Sequence, residues 1–314
     1  TLTHAGVIDG TGKLIKAGQG TLVLSGTNTF SGVTSINNGV LSISSDRNLG
    51  VVPGIATTGS LVLNGGTLQA TANFTLYANR GVALNSSIAF ITVDPSVELN
   101  YAGVVAGSNK LQKDGSGTLT LSGNNSYTGG TIIHRGILSV SSDSNLGAVP
   151  GAATAGQLTF GNGGGVLLAT AGFELSANRG VDLGTSGGTL RTDSGVALAY
   201  AGVIANSGSL AKAGSGTLTL TGTNTYNGAT NISAGSLVID GSGSLRSGSY
   251  LGAISNNGSF VYNSSAAQVL SGVISGTGDV TQSGTSTLTL TNTNTYTGTT
   301  TINAGTLQLG NNSA

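Results

Sequence analysis

The chain has 314 residues, of which 54 are glycine, and its 11 basic and 11 acidic residues balance to a net charge of zero. Charged residues make up only 7% of the chain, which leaves no basic surface for nucleic acid or for an anionic membrane. The absence of cysteine excludes disulfides, thiol nucleophiles and cysteine metal sites, and no apolar run approaches the roughly 18 residues that a membrane-spanning helix needs.

One long stretch of sequence occurs four times along the chain. Its copies begin at His4, Tyr101, Tyr200 and Leu270. We therefore predict a single repeat domain over residues 1–314. Its units are expected at residues 1–97, 98–196, 197–266 and, as a partial unit, 267–314. Because the chain starts at Thr1 without a signal segment, we also expect it to be a piece of a longer protein.

Within each copy, apolar and hydroxyl side chains alternate, as a half-buried strand requires. Leu119 and Leu121 alternate with threonine and serine. Pairs such as Asn38-Gly39 bound these short strands and supply positive φ angles at little steric cost. No segment combines a helical period with helix caps. The sequence therefore predicts an all-β fold.

Two all-β architectures suit many short strands with tight turns: a sandwich or barrel of hairpins, and a solenoid in which each coil makes a full turn. We favour the solenoid because glycine breaks are closely spaced, similarity recurs along one direction, and aromatic residues are only 4% of the chain. Such a β-solenoid would take roughly 20 to 24 residues per turn.

The repeated stretch resembles a known repeat. From Lys113 to Thr131 it has the pattern Lys-x-Gly-x-Gly-Thr-Leu-Thr-Leu-Ser-Gly-x-Asn-x-Tyr-Thr-Gly-Gly-Thr, and Gly136-x-Leu138-x-Val140 and Asn145-Leu146-Gly147 follow it. This pattern is similar to the passenger-associated transport repeat of Gram-negative autotransporters, and all four copies carry it. The fourth copy departs at Gln282, where the others have Lys16, Lys113 and Lys212. This exchange argues against a role for the lysine.

The resemblance implies a right-handed parallel β-helix that is exported by type V secretion and displayed outside the cell. It implies passage through the outer membrane with the help of the protein's own C-terminal β-barrel, which we expect to lie outside this stretch of sequence. It also implies an extracellular location at the bacterial cell surface. These expectations come from the family and not from the composition.

The two histidines are the first candidates for chemistry. A nucleophilic triad needs a serine, a histidine base and an orienting carboxylate. His4 and His134 stand where the other copies have different residue types, so we interpret both as tolerated substitutions. The segment Gly184–Gly188 matches the Gly-x-Ser-x-Gly nucleophile pattern but lacks its strand-to-helix context. We predict a glycine-rich turn there.

Recurring charged residues are the next candidates. Asp46 and Asp143 begin segments that look like the start of a calcium loop, but neither has the glutamate that such a loop needs at its twelfth position. We predict an Asx turn at each. Arg80 and Arg179 recur at matched positions. We hypothesise that both bind local carboxylates or turn carbonyls.

Aromatic and threonine residues recur as well. We predict that Tyr127, Tyr226 and Tyr296, with Phe30, pack against turns and do not form a sugar-stacking track. The outward Thr-x-Thr pairs come once per unit, which is too seldom for an ice-binding face.

These observations lead to a functional hypothesis with two alternatives. We expect an extracellular structural stalk of an autotransporter passenger that supports secretion and surface display, adhesion or aggregation. A self-associating surface fibre and a β-helix enzyme acting on polysaccharide remain open. We predict that the chain is not an enzyme, with no catalytic, cofactor-binding or metal-binding residue and no cofactor. Besides the β-barrel, the expected partners are a second copy or a host or cell-surface ligand, and not nucleic acid.

Overall fold

The computed structural model of the protein describes residues 1–310. The last four residues of the predicted partial unit, 311–314, lie outside the described residues. The chain divides into two compact units, Thr1–Val149 and Pro150–Ala314. Each unit consists of short strands and tight turns.

The first unit contains strands β1 to β16. They are Leu2–His4 (β1), Leu14–Lys16 (β2), Thr21–Leu24 (β3), Thr34–Ile36 (β4), Val40–Ile43 (β5), Thr57–Leu63 (β6), Thr67–Ala70 (β7), Phe74–Leu76 (β8), Arg80–Leu84 (β9), Ile88–Val93 (β10), Glu98–Tyr101 (β11), Val105–Ala106 (β12), Lys110–Asp114 (β13), Thr118–Leu121 (β14), Thr131–Ile133 (β15) and Ile137–Val140 (β16). Within this unit the strands lie in the orders β1-β3-β5-β7-β10-β13-β15, β2-β4-β6-β9-β12 and β8-β11-β14-β16.

The second unit contains strands β17 to β36. They are Thr154–Phe160 (β17), Val166–Ala169 (β18), Phe173–Leu175 (β19), Arg179–Asp182 (β20), Gly188–Thr192 (β21), Ala197–Tyr200 (β22), Ile204–Ala205 (β23), Leu210–Ala213 (β24), Thr217–Leu220 (β25), Thr230–Ile232 (β26), Ser236–Gly241 (β27), Ser249–Tyr250 (β28), Ile254–Asn256 (β29), Ser259–Ser264 (β30), Gln268–Leu270 (β31), Ile274–Ser275 (β32), Asp279–Gln282 (β33), Thr287–Leu290 (β34), Thr300–Ile302 (β35) and Thr306–Leu309 (β36). Its strands lie in the orders β17-β20-β23, β18-β21-β24-β26-β29-β32, β19-β22-β25-β27-β30-β33-β35 and β28-β31-β34-β36.

Stacked leucines show how the sequence pattern builds the core of the first unit. Leu119 pairs with Leu99 in the preceding turn of the coil and with Leu138 in the following one. All three side chains are buried. Burying one leucine completely stabilises a fold by about 2 kcal/mol. The alternation of apolar and hydroxyl residues therefore places one leucine column inside, with Thr118 and Thr120 only partly covered.

The length of one turn varies more than the sequence predicts. Ile8 and Asn28 are hydrogen-bonded between consecutive turns across 20 residues, whereas Ile43 and Thr71 are bonded across 28. The expected 20 to 24 residues per turn is thus too narrow a range. The longest turns accommodate an insert with a 3-10 helix at Asp46–Leu49 and the loop that follows it.

The prediction of a parallel β-solenoid is confirmed in each unit. Strand pairings within the units, over residues 1–310, are parallel, and partners are joined by a full turn of the coil and not by a hairpin. This pattern excludes the sandwich of hairpins. Three 3-10 helices accompany the strands, at Asp46–Leu49, Asp143–Leu146 and Arg246–Gly248. No helix within the described range has the length and apolar character for crossing a bilayer.

Candidate functional site

The lysine of the repeat lies inside the coil and binds turn carbonyls. Lys113 is fully buried, and its Nζ donates hydrogen bonds to the backbone oxygens of Asp114 (2.8 Å), Gly115 (2.7 Å) and Arg135 (3.2 Å). Gly115 has a φ of 74°, a conformation that glycine adopts without strain. The ammonium group has three donors, and all three are used to hold two successive turns together.

The other copies repeat this arrangement. Lys16 Nζ donates to the oxygens of Ala17, Gly18 and Asn38. Lys212 Nζ donates to those of Ala213, Gly214 and Ala234. We call each such lysine with its three carbonyls a lysine clamp. Burial lowers the pKa of Lys113 and of Lys212 to about 8.

Gln282 occupies the clamp position in the fourth copy. Its Nε2 donates to the oxygens of Gly284 (3.0 Å) and Ser286 (2.9 Å), while its Oε1 is buried without a partner among the described residues. The exchange of lysine for glutamine therefore keeps two of the bonds. The interpretation that this position has no role is wrong, because every copy uses it to bind turn carbonyls.

A buried asparagine forms the second polar contact of each repeat. Asn125 Oδ1 accepts a hydrogen bond from Val105 N at 2.8 Å, and its Nδ2 donates to Asn145 O at 2.6 Å. The equivalent oxygens of Asn28, Asn224 and Asn294 accept from the backbone nitrogens of Ile8, Ile204 and Ile274. Since an unpaired buried backbone group is costly, each asparagine serves as a bridge between neighbouring turns.

An aromatic residue and a threonine form the third contact. The hydroxyl groups of Tyr127 and Thr131 lie 2.6 Å apart, and those of Tyr226 and Thr230 lie 2.7 Å apart. Both tyrosines are fully buried. The Tyr127 ring lies so close to Gly147 that a Cβ atom there would come within 2.8 Å of it. The prediction that these rings pack against turns is confirmed for both buried tyrosines.

The first copy lacks one partner of this contact. It has Phe30 where the others have tyrosine, and the Oγ1 of Thr34 is buried without a hydrogen-bond partner within residues 1–310. Phe30 itself is buried. The apolar packing is kept, and the hydrogen bond is missing.

The inserts of the first unit are held by an ion pair. Arg80 Nε and Nη2 donate to the two carboxylate oxygens of Asp46 at 3.0 and 3.1 Å. Its Nη1 and Nη2 also donate to the backbone oxygens of Leu49 and Gly50. Both charged side chains are only 3% exposed. The hypothesis that Arg80 binds a local carboxylate and turn carbonyls is confirmed.

Comparison with known proteins identifies the repeated unit. Residues 14–43, 111–140, 210–239 and 280–309 match the passenger-associated-transport-repeat. The chain carries four of these passenger repeats. A curated relative, the adhesin BmaC autotransporter of Brucella suis biovar 1 (strain 1330), is 48% identical over 206 residues, which are 66% of this chain and 6% of that protein. The chain thus spans a small fraction of its relative's length. No solved structure matches it.

The three polar contacts all lie within or beside the passenger repeats. The clamp lysines stand near the start of each matched segment, at Lys16, Lys113 and Lys212. The asparagine and the aromatic residue follow within the same segments. Sequence comparison among the copies shows these positions, but their partners lie on the next turn of the coil and depend on its length.

The aspartates between the passenger repeats begin 3-10 helices. The predicted Asx turn at Asp46 is wrong, because the Asp46 carboxylate binds Arg80 and Tyr77 N instead of its own turn. The helix Asp46–Leu49 is capped by Ser45, and Asn48 completes a capping box. Asp143–Leu146 is a 3-10 helix with the same capping box, formed by Ser142 and Asn145.

The remaining candidates occupy separate places in the two units. His4 ends β1, His134 follows β15, and Ser186 is exposed in the turn between β20 and β21. Positive φ values at Gly184 and Gly187 confirm the glycine-rich turn. Searching residues 1–310 yields no group of three or more histidine, aspartate or glutamate side chains that could hold a metal ion.

Arg179 is buried like its counterpart Arg80. The hydroxyl of Tyr200 donates to the backbone oxygen of Arg179 at 2.7 Å, and that of Tyr101 donates to the backbone oxygen of Arg80 at 2.9 Å. Each arginine therefore lies beneath a tyrosine of the following turn. The repetition at matched positions is structural.

Proposed function

We propose that the chain is a segment of the extracellular passenger of an autotransporter, a structural stalk that supports secretion and surface display and contributes to adhesion or aggregation. The observation that carries the proposal is the set of four passenger repeats within a parallel β-solenoid. The name of the adhesin relative supports the adhesive role. The partner needed for export would be a C-terminal outer-membrane translocator, and the location would be the cell surface.

The physical argument rests on how a solenoid folds. Each turn is bonded mainly to its neighbours, through hydrogen bonds such as those across 20 residues at Ile8 and Asn28 and across 22 residues at Lys113 and Arg135. Such structures fold by propagation from one turn to the next. A chain that emerges from a narrow pore end first can therefore complete one turn at a time. The absence of cysteine leaves no disulfide to obstruct passage.

We propose no enzymatic activity. A polysaccharide-active β-helix gathers acids and cations in one cleft, whereas Asp46 and Arg80 neutralise each other beneath the surface. The three clamp lysines are committed to backbone oxygens. These contacts support a structural role for the recurring charges.

Surface display tests the proposal. The chain is placed between an N-terminal epitope and the translocator of an autotransporter, and epitope exposure on intact cells is measured by antibody binding and protease release. We expect efficient exposure, and a loss of exposure when Lys16, Lys113 and Lys212 are all replaced by methionine. A flexible glycine-serine linker of equal length serves as the control. Equal exposure of all three proteins would contradict a specific contribution of the passenger repeats.

A further inference from the structure

A shallow groove of about 440 Å³ lies on the outer surface of the second unit. Small residues, including Gly156, Gly180 and Ala205, line much of it. One wall forms where the register between β17 and β20 shifts between Thr154 and Leu158, which makes β17 bulge. Because its lining side chains are short, the groove has room for a slender apolar chain.

Asp182 is the charged residue among those that line the groove. Its Oδ1 accepts hydrogen bonds from Asn206 Nδ2 at 2.6 Å and from Gly184 N at 2.7 Å. Its Oδ2 has no hydrogen-bond or ion-pair partner in the part of the chain that the structure describes. A Cβ atom on Gly156 would lie 4.0 Å from this oxygen. The carboxylate is therefore fixed, with one oxygen available on the groove side.

Asn206 holds this carboxylate from an unfavourable backbone conformation. Its φ is 81°, and the equivalent positions of the second and fourth copies are Gly107 and Gly276, with φ values of 130° and 104°. A side chain at such an angle is strained relative to glycine, although asparagine tolerates it better than most residues. Strain of this kind is concentrated at functional sites. What the side chain adds here is its bond to Asp182.

The first unit contains the same backbone arrangement without the charge. Ala83 stands where the second unit has Asp182, and Gly107 stands where it has Asn206. Ala83 pairs with Ala106 as Asp182 pairs with Ala205. The acid and the asparagine that orients it are thus present together in one insert and absent together in the other. Because the fold is the same without them, the pair is not required for the fold.

We propose that this groove binds a lysine side chain of a partner protein, with the ammonium group at Asp182 Oδ2 and the methylene stem along Gly180 and Ala205. The stem of lysine packs on apolar surface while its charge reaches a polar group. An arginine binds a carboxylate best through both oxygens, and here Oδ1 already accepts two bonds. The site therefore favours a compact ammonium over a planar guanidinium.

This proposal does not depend on secretion or on the stalk role, because all the residues involved belong to the second unit. Charge complementarity identifies the occupant: the groove offers one unpaired carboxylate in otherwise apolar surroundings. A lysine presented by an extended segment supplies both the charge and the stem.

The test is an NMR titration of the full 314-residue chain with the peptide acetyl-Ala-Ala-Lys-Ala-Ala-amide. We expect saturable shifts of the Gly156, Gly180 and Ala205 amide signals with a dissociation constant on the order of millimolar, as suits one exposed ion pair. The peptide with Nε-acetyl-lysine removes the charge, and the peptide with arginine changes its shape. Both are expected to bind at least fivefold more weakly.

The variant Asp182→Ala/Asn206→Gly reproduces the residues of the first unit and is expected to fold normally by circular dichroism. It should bind the lysine peptide at least fivefold more weakly than the unaltered chain. Unchanged binding by this variant, or equal binding of the acetylated or arginine peptide, would overturn the proposal. An Asp182-dependent dimer in sedimentation without peptide would assign the groove to a second copy, and it would overturn the proposal as well.

Discussion

At the scale of single residues, the four copies differ in how completely their buried polar groups are paired. Thr131 and Thr230 bond to tyrosine hydroxyls, whereas Thr34 faces Phe30 and remains unpaired. A buried hydroxyl without a partner costs on the order of 1–3 kcal/mol. The first copy therefore contains a local defect that the other copies show how to repair.

Replacing Phe30 with tyrosine should stabilise the protein. Phe30→Tyr supplies the hydroxyl that Tyr127 and Tyr226 provide elsewhere, so we expect a gain of about 1 kcal/mol, measured as a higher urea midpoint. In the double variant Phe30→Tyr/Thr34→Val the new hydroxyl has no partner at residue 34. A gain of the same size in that background would show that the hydrogen bond is not its cause.

The lysine clamp should depend on the number of donors at its position. Lys113→Met leaves three turn carbonyls without their donor and is expected to cost about 3 kcal/mol. Lys113→Gln should cost less, because Gln282 keeps two bonds at the same position. Urea unfolding measures both, with hydrogen exchange of the turn amides as the local readout. Equal losses in the two variants would refute this ranking.

At the scale of elements, the inserts between passenger repeats rest on buried charge and not on strand pairing. Arg80 binds both Asp46 and the end of the helix Asp46–Leu49. Loss of one partner from a buried ion pair leaves the other charge uncompensated. The insert is therefore held by one interaction that cannot be weakened gradually.

Asp46→Asn should consequently destabilise the first unit by about 3–5 kcal/mol. The matched control is Arg191→Gln, which breaks a pair with Asp193 whose side chains are 41% and 48% exposed; it should cost less than about 1 kcal/mol. Urea unfolding compares the two, and limited proteolysis follows the loop after Leu49. If Asp46→Asn costs no more than the control, the ion pair does not hold the insert.

The sequence predicts elements better than it predicts their contacts. Alternation around Leu119 is sufficient to identify a strand, because it depends only on neighbouring residues. The contact between Asp182 and Asn206 joins residues 24 apart, and the copies show turns of 20 and of 28 residues. Without the length of each turn, the partner of a side chain on the next turn cannot be found. For this reason the lysine clamp escaped sequence analysis although the lysine itself was evident.

At the scale of the whole molecule, buried ionisable groups predict a stability maximum at alkaline pH. Burial lowers the pKa of Lys113 and Lys212 from 10.5 to about 8, so between these values the unfolded chain binds more protons and stability rises with pH. Burial raises the pKa of Tyr250 from 10.0 to about 12, and it raises those of Tyr101 and Tyr200 as well. Above pH 10 the native state therefore binds more protons, and stability falls.

We expect the urea midpoint to rise from pH 8 to about pH 10 and to fall steeply above it. Lys113→Gln/Lys212→Gln should remove the rise, and Tyr250→Phe should reduce the fall by at most about 3 kcal/mol. Tyrosinate absorbance follows the second effect, since buried tyrosines ionise only when the chain unfolds. A midpoint that declines monotonically from pH 8 would contradict the contribution of the lysines.

The stacking of turns also determines how this protein would respond to mechanical force. A turn of 20 residues, such as the one between Ile8 and Asn28, would extend to about 70 Å when pulled straight, against about 4.8 Å of rise while it is coiled. Tension applied to the two ends of a unit would peel turns away one after another, because each is bonded mainly to its neighbours. Each release would lengthen the tether by about 65 Å, so a cell attached through such a protein would absorb a pull in small steps before the attachment itself broke.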